Sequence, residues 1–221
     1  WRWPKPALRK KPARSASFSA STIWRRRLRE QHTNQPRRCA VPLTPQEVAG
    51  AFEAACRAEL TALKPGNVHH FASGHGMEAR HFEDAARAAA PAIGAPGLKL
   101  GARIARAVEA SLAAADCNTN LGIVLLCAPL AAAALAPSPK PLRARLSHIL
   151  AGLDREDAAQ AFGAIAQASP GGLGDAPEAD VRGPATVTLR AAMALAAERD
   201  LIARQYENGY KEVFALGVPQ L

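Results

Sequence analysis

Apolar positions recur at helical spacing from Thr44 onwards. In TPQEVAGAFEAACRAEL, Val48 and Phe52 begin a stripe of apolar residues that fall on one face of a helix. Thr44 precedes a proline and stands three residues before Glu47, which is the spacing of a helix capping box. The pattern therefore predicts a first helix over residues 45–62.

The same period continues through most of the remaining chain. Apolar side chains stand four residues apart at Leu100, Ile104, Val108 and Leu112, which is typical of a helix with one buried face. Further helices are predicted over residues 78–94, with Pro91 kinking or ending the helix, and over 97–115, 140–150, 154–169 and 187–216, the last with a kink at Gly209.

One segment is apolar on every side. Residues 121–136, LGIVLLCAPLAAAALA, form a run of sixteen residues without a polar side chain. A membrane-spanning helix needs about 20 such residues, and this run also contains Pro129. We therefore predict a central, fully buried helix of a bundle and no membrane span.

Composition agrees with a helical fold. The chain of 221 residues is 48% hydrophobic but only 5% aromatic, and alanine dominates its middle and its C-terminal part. Alanine loses no side-chain entropy in a helix, whereas no run alternates β-branched or aromatic residues as a strand does. The prediction is an all-α, multi-helix bundle whose polar loops form the site.

Charge divides the chain into two parts. Residues 1–38 hold 12 of its 28 Lys and Arg residues but one of its 19 acidic residues, so residues 39–221 are close to neutral. We predict a basic, disordered extension over residues 1–42 and a helical domain over residues 43–221. Three interpretations of the extension stay open: sequence upstream of the natural start, an arm that binds nucleic acid or membrane, and a transit peptide.

The four cysteines, Cys39, Cys56, Cys117 and Cys127, show no metal-binding spacing. Buried or free thiols in a reducing compartment are therefore expected, which favours the cytoplasm. A nucleic-acid partner is expected only through residues 1–38, where the positive charge is concentrated.

Three polar stretches interrupt the helices, at residues 63–77, 116–120 and 170–184. They contain Lys, His, Asn, Asp and Gly, which are residue types that hold phosphates and magnesium. Loops at one end of a bundle can converge on a site, so we predict that these three stretches meet.

Each stretch also has a simpler interpretation. Lys64 can be a solvated turn lysine, and residues 116–120 can be a helix end, a turn and the next helix start. His69, His70 and His75 can form a zinc site, although no metal-binding spacing supports one. The sequence PGGLGD from Pro170 lacks the Gly-Lys-Ser/Thr ending of a phosphate-binding loop.

Four short motifs occur together in order along the chain. They are ELTALKPGNV from Glu59, GHGM from Gly74, NTNLGIVLLCAPL from Asn118 and GGLGDAPEADV from Gly171. With the later RDLIARQYENGYKEVF, they resemble the triphosphoribosyl-dephospho-CoA synthase family over residues 44–221.

The resemblance implies an all-α transferase that uses Mg²⁺ with ATP as a substrate. Such an enzyme joins the ribose of ATP to the 2′-hydroxyl of dephospho-CoA, releases adenine and keeps the triphosphate. The transition state resembles an oxocarbenium ion, so the reaction needs a base, a hydrogen-bond donor to adenine and cations on the triphosphate. The site residues that the resemblance implies are Glu59, His75 and Asp180 for catalysis, Lys64, Gly66, Asn67, Asn118, Asn120, Gly171 and Gly172 for ATP, and Asp116 with Glu59 for Mg²⁺.

Two other functions stay open. Leu63 and Gly76 depart from the family's usual pattern. The Asn-Val pair after Pro-Gly and the GHGM motif resemble a branch in organisms that make tetrahydromethanopterin-type C1 carriers, which implies a related ATP-dependent step with another acceptor. The chain also ends at Leu221, before further helices that the family usually has, so an inactive fragment or a basic-arm binding protein is the third hypothesis.

Overall fold

A computed structural model describes residues 42–63, 68–71, 73–74, 76–170 and 178–220. The prediction for residues 1–42 therefore falls almost entirely outside the described residues. Within them there is no strand but only isolated bridge residues, such as Gly74 with Met77, so the all-α prediction is confirmed. The helices are α1 (Pro45–Thr61), α2 (Ala79–Gly94), α3 (Leu100–Ala115), α4 (Leu121–Leu135), α5 (Leu142–Ala151), α6 (Arg155–Ala168), α7 (Leu189–Ala196) and α8 (Leu201–Asn208), followed by a π-helical turn (Val213–Gly217) and α9 (Val218–Gln220).

The start of α1 is the capping box that the sequence predicts. The Thr44 hydroxyl accepts a hydrogen bond from the Glu47 amide at 3.2 Å, and the Glu47 carboxylate accepts one from the Thr44 amide at 2.8 Å. The bond from the Thr44 amide, together with one from the Thr44 hydroxyl, holds the pKa of the Glu47 carboxyl below its ordinary value. Two of the amides that a helix start leaves without partners are thereby satisfied.

Glycines allow two of the helix pairs to approach closely. A Cβ on Gly94 of α2 would lie 2.4 Å from the Pro45 carbonyl oxygen of α1. A Cβ on Gly101 of α3 would lie 2.6 Å from the Cα of Asp157 in α6. The buried Asp157 carboxylate also accepts a hydrogen bond from the Gly101 amide at 2.8 Å, which fixes the start of α3 against the start of α6.

Two buried arginines close helix ends at one end of the bundle. The Arg103 guanidinium of α3 donates to the carbonyl oxygens of Ala92 and Ile93, the last turn of α2. The Arg145 guanidinium of α5 donates to the carbonyl oxygens of Ala134 and Ala136 at the end of α4, both at 3.2 Å. Positive charge is favourable at a helix C-terminus, and burial lowers the pKa of Arg103.

The opposite end of the bundle, which we call the loop end, carries the polar stretches. The Asn120 side-chain amide donates to the Phe82 carbonyl oxygen at 3.2 Å, so the start of α4 lies beside the start of α2. Ala168, at the end of α6, shares a small cavity with Leu112 and Asn118, so the end of α6 also lies there. The helix ends that border the three polar stretches therefore lie at one end of the bundle, as the sequence predicts.

Two tyrosine hydroxyls hold α8 against α4 beside a proline. Pro129 lies inside α4 and has no N–H, so it cannot bond the Leu125 carbonyl four residues earlier. The Tyr206 hydroxyl of α8 donates to this oxygen at 2.7 Å, and the Tyr210 hydroxyl donates to the neighbouring Leu126 oxygen at 2.9 Å. Burial raises the pKa of both tyrosines, so they stay protonated donors.

Three helix predictions need correction. The segment 187–216 is not one long helix, because the Asp200 carboxylate accepts from the amides of Ile202 and Ala203 and so starts a new helix. Gly209, at φ 72°, ends α8 and does not merely kink it. Helix α2 does not end at Pro91 but continues to Gly94.

The central helix α4 is only partly as predicted. Seven of its 15 residues are buried and the others are partly exposed, so it is not fully covered by the described residues. Its first turn, with Leu121 and Gly122, borders an open groove. No helix in the described ranges is long and apolar enough to cross a membrane, in agreement with the length argument.

The cysteines within the described residues are free thiols. Burial raises the pKa of Cys56 to about 12 and that of Cys127 to about 11. These two thiols therefore stay protonated and weakly nucleophilic near neutral pH. Cys117 is free as well, while Cys39 lies outside the described residues.

Substituting Gly101→Ala should destabilise the bundle by about 1–3 kcal/mol, because the new methyl group meets backbone atoms of Asp157 that cannot rotate away. Gly163→Ala is the matched control: it lies inside α6 with no atom within 4 Å of its Cβ position, so it should stabilise by about 0.5–1 kcal/mol. Urea denaturation measures both, and equal stability of Gly101→Ala and the natural chain would refute the close contact.

Candidate functional site

An open groove of about 620 Å³ lies at the loop end between α4, α6, α7 and α8. Ligand sites commonly occupy clefts of about 300–1,000 Å³ with an apolar lining and a few polar groups. Its apolar lining comes from residues such as Leu121, Leu125, Phe162, Ile165 and Met193, and its polar side chains are Asn118, Thr119, Glu178, Asp180, Arg199 and Asp200.

Two of the three polar stretches reach this groove. Asn118 comes from the stretch 116–120, and Pro170 and Asp180 come from the stretch 170–184. They are about sixty residues apart in sequence and are brought together because α4 begins where α6 ends. These two stretches therefore converge at the groove, as the sequence predicts.

The second stretch presents its residues in different directions. Asp116 ends α3 in the left-handed conformation at φ 52°, with its side chain exposed. Asn118 lines the groove, whereas Asn120 is 1% exposed and holds the start of α4 to α2. Within the described residues, neither the Thr119 hydroxyl nor the side-chain oxygen of Asn120 has a hydrogen-bond partner.

The third stretch places Asp180 in a tight turn. One Asp180 carboxylate oxygen accepts a hydrogen bond from the Arg182 amide at 2.8 Å, and the other lies 3.7 Å from the Arg182 guanidinium. Ala179 before it has φ 51°, a left-handed conformation that is rare for residues with a side chain. Gly171, Gly172 and the other residues of 171–177 lie outside the described residues.

The first stretch is described only in part. Lys64, Gly66, Asn67 and His75, all predicted site residues, lie outside the described residues. Around them, the His70 amide donates to the Leu60 carbonyl at 3.2 Å, and Gly74 and Met77 exchange two backbone hydrogen bonds. These bonds return the chain from the end of α1 to the start of α2, at the loop end.

The predicted metal ligands do not line the groove. Glu59 is half-buried in the last turn of α1, and Asp116 is exposed at the end of α3. In the part of the chain that the structure describes, no group of three or more His, Cys, Asp or Glu residues is arranged to hold a metal ion. His69 is instead engaged locally, because its Nδ1 accepts the Phe71 amide at 3.2 Å.

Sequence reasoning missed three charged groove residues, Glu178, Arg199 and Asp200. The signal for Asp200 was present, since Asp is a preferred helix N-cap and a new helix begins directly after it. The long helix predicted over residues 187–216 concealed it. Arg199 stands in the turn between α7 and α8, which a continuous helix would not contain.

The two helix starts at the groove differ in capping. The first amides of α8 are bonded by the Asp200 carboxylate at 2.7 and 2.9 Å. Helix α4 has no side-chain cap at Asn120, and its first-turn residues Leu121 and Gly122 line the groove. A helix N-terminus carries partial positive charge, so the α4 end favours an anionic group.

Backbone strain is concentrated around this end of the bundle. Of the four non-glycine residues with positive φ in the described ranges, Asp116, Ser169 and Ala179 belong to the ends or loops that border the groove. Each such conformation costs on the order of 1 kcal/mol, and strained backbone often accompanies functional sites. The fourth, Tyr210, follows the left-handed Gly209 at the end of α8.

Comparison with known proteins gives one match. A family model, CitG, described as ATP:dephospho-CoA triphosphoribosyl transferase, matches residues 45–221. No curated protein matches the chain, and no solved structure does. The matched region covers every described helix and both stretches that border the groove. The chain therefore belongs to the ATP:dephospho-CoA triphosphoribosyl transferase family, a family of transferases.

Proposed function

We propose that this protein transfers the triphosphoribosyl group of ATP to the 2′-hydroxyl of dephospho-CoA and releases adenine, in the cytoplasm. The observation that carries the proposal is the groove at the loop end, where Asn118 and Asp180 from two family-like motifs line one cavity. Its volume of about 620 Å³ suits a nucleotide-sized ligand.

The groove divides into regions with different chemistry. Apolar side chains such as Leu125, Phe162 and Met193 offer a surface for the flat face of adenine. The start of α4, which the Asn120 side chain does not cap, offers backbone amides to phosphate oxygens. In this arrangement the anomeric carbon of the ribose would lie between the apolar surface and the polar end of the groove.

The bond changes define what the residues must do. The C1′–N9 bond of ATP breaks, the acceptor oxygen bonds to C1′, the acceptor proton passes to a base, and adenine leaves with a proton. Asp180 is the carboxylate we assign to the acceptor hydroxyl, because the Arg182 amide and guanidinium fix its position. Its negative charge would also stabilise the oxocarbenium-like transition state.

Mg²⁺ is expected to arrive with the triphosphate. Magnesium usually keeps several waters and is held by one or two carboxylates together with substrate phosphates, so it needs no ready-made cluster of protein ligands. Glu178 would hold it, since this groove carboxylate is exposed and has no side-chain partner among the described residues. The ion would neutralise phosphate charge, and Glu59 and Asp116 stay predicted ligands outside the groove lining.

The direct test is adenine release. The full chain is incubated with Mg-ATP and dephospho-CoA, and free adenine is measured by chromatography. We expect adenine in proportion to dephospho-CoA consumed, and loss of release when EDTA removes the divalent ion. Adenine only with another acceptor would replace this proposal by the C1-carrier alternative, and none with any acceptor in a folded sample would contradict both.

Substituting Asp180→Asn should lower the turnover number by about 100-fold or more, because the amide keeps the shape of the side chain but cannot take up the proton. Asp84→Asn is the matched control, since Asp84 is also paired with an arginine, Arg87 at 2.8 Å, but lies on α2 away from the groove lining. Steady-state kinetics of both variants measure the effect. Turnover of Asp180→Asn within twofold of the natural chain would remove Asp180 from catalysis.

A further inference from the structure

Arg199 is the only cationic side chain among the described residues that line the groove. Its side chain is exposed and makes no hydrogen bond or ion pair within the described part of the chain. This is unexpected, because the carboxylates of Glu178, Asp180 and Asp200 line the same cavity. A guanidinium that stays unpaired beside carboxylates is available to an anionic ligand.

The backbone that carries Arg199 is held firmly. The Arg204 guanidinium donates to the Ala197 carbonyl at 3.0 Å and to the Glu198 carbonyl at 3.4 Å. Asp200, directly after Arg199, is fixed by its bonds to the first amides of α8. The turn between α7 and α8 is therefore anchored on both sides of Arg199, while the Arg199 guanidinium has no such bond to any of the described residues.

The same groove contains a second group suited to anions. Ile202, three residues after Arg199, packs its Cδ1 3.2 Å from the position a Cβ on Gly122 would take. The start of α8 is thus seated on the start of α4, whose first amides are not capped by the Asn120 side chain. A bidentate guanidinium and uncapped helix amides are complementary to the oxygens of a polyphosphate chain.

We propose that Arg199 binds the polyphosphate group of a substrate in this groove and so gives the groove its specificity for phosphorylated ligands. The proposal rests on the function proposed above, where two substrates carry such a group: the triphosphate of ATP and the diphosphate of dephospho-CoA. Both offer the same chemistry to a guanidinium. Separate ligands in the test distinguish them.

The test measures binding without catalysis. Isothermal titration calorimetry of the full chain with inorganic tripolyphosphate, Mg-ATP and dephospho-CoA gives a Kd for each. Arg199→Gln should weaken tripolyphosphate binding by roughly ten- to hundredfold, the usual effect of losing a charge-assisted hydrogen bond. Arg199→Lys should recover part of the loss, because a lysine keeps the charge but not the bidentate geometry.

Arg106→Gln is the matched control, an exposed arginine on α3 away from the groove lining. It should leave all three Kd values unchanged, and circular dichroism should show both variants folded. A tenfold loss for Mg-ATP but not dephospho-CoA assigns Arg199 to the triphosphate, and the reverse result assigns it to the acceptor. An unchanged Kd for tripolyphosphate in Arg199→Gln, or no binding by the natural chain, would overturn the proposal.

The two experiments distinguish a failure of the proposed reaction from a failure of the proposed role of Arg199. If the natural chain releases no adenine but Arg199→Gln loses tripolyphosphate binding, the reaction is wrong and the polyphosphate site stands. If adenine is released and Arg199→Gln binds tripolyphosphate normally, the reaction stands and the role of Arg199 is wrong.

Discussion

The groove depends on the hydrogen bond that replaces the one missing at Pro129. Pro129 has no N–H to bond the Leu125 carbonyl of the most apolar helix, and the Tyr206 hydroxyl bonds that carbonyl instead, while the Tyr210 hydroxyl bonds the neighbouring Leu126 carbonyl. An unbonded buried carbonyl costs about 1–3 kcal/mol, so α4 without α8 would carry that cost. The two bonds set both the position and the direction of α8, because they join consecutive carbonyls of α4 to a residue inside α8 and to one just after its end.

That placement determines the chemistry of the loop end. Because Tyr206 lies beside Leu125, the start of α8 reaches the start of α4, where Ile202 packs near Gly122. The turn before α8 thereby brings Arg199 and Asp200 to the same groove as Asn118. At the other end of the bundle, the guanidinium groups of Arg103 and Arg145 are bonded to helix carbonyls, whereas at the loop end the Arg199 guanidinium makes no hydrogen bond or ion pair within the described residues.

The sequence predicts the helices whose bounds depend on the local spacing of apolar residues. Apolar spacing gives α1 to α6 closely, and Thr44 with Glu47 gives the start of α1. The prediction fails where one side chain competes with the helix, as Asp200 does, because apolar residues on both sides keep a helical spacing through the break. Asn118 and Asp180 could be predicted from their motifs, but Arg199 could not, since its position in the groove depends on the long-range contact between α4 and α8.

The most direct measurement is a double-mutant cycle between Pro129→Ala and Tyr206→Phe, with the free energy of unfolding measured in urea. In the natural chain, Tyr206→Phe should cost about 1–3 kcal/mol, because the Leu125 carbonyl loses its donor. In the Pro129→Ala background the new N–H at position 129 bonds that carbonyl, so the cost should fall by at least about 1 kcal/mol. Equal costs in the two backgrounds, within about 0.5 kcal/mol, would contradict the account.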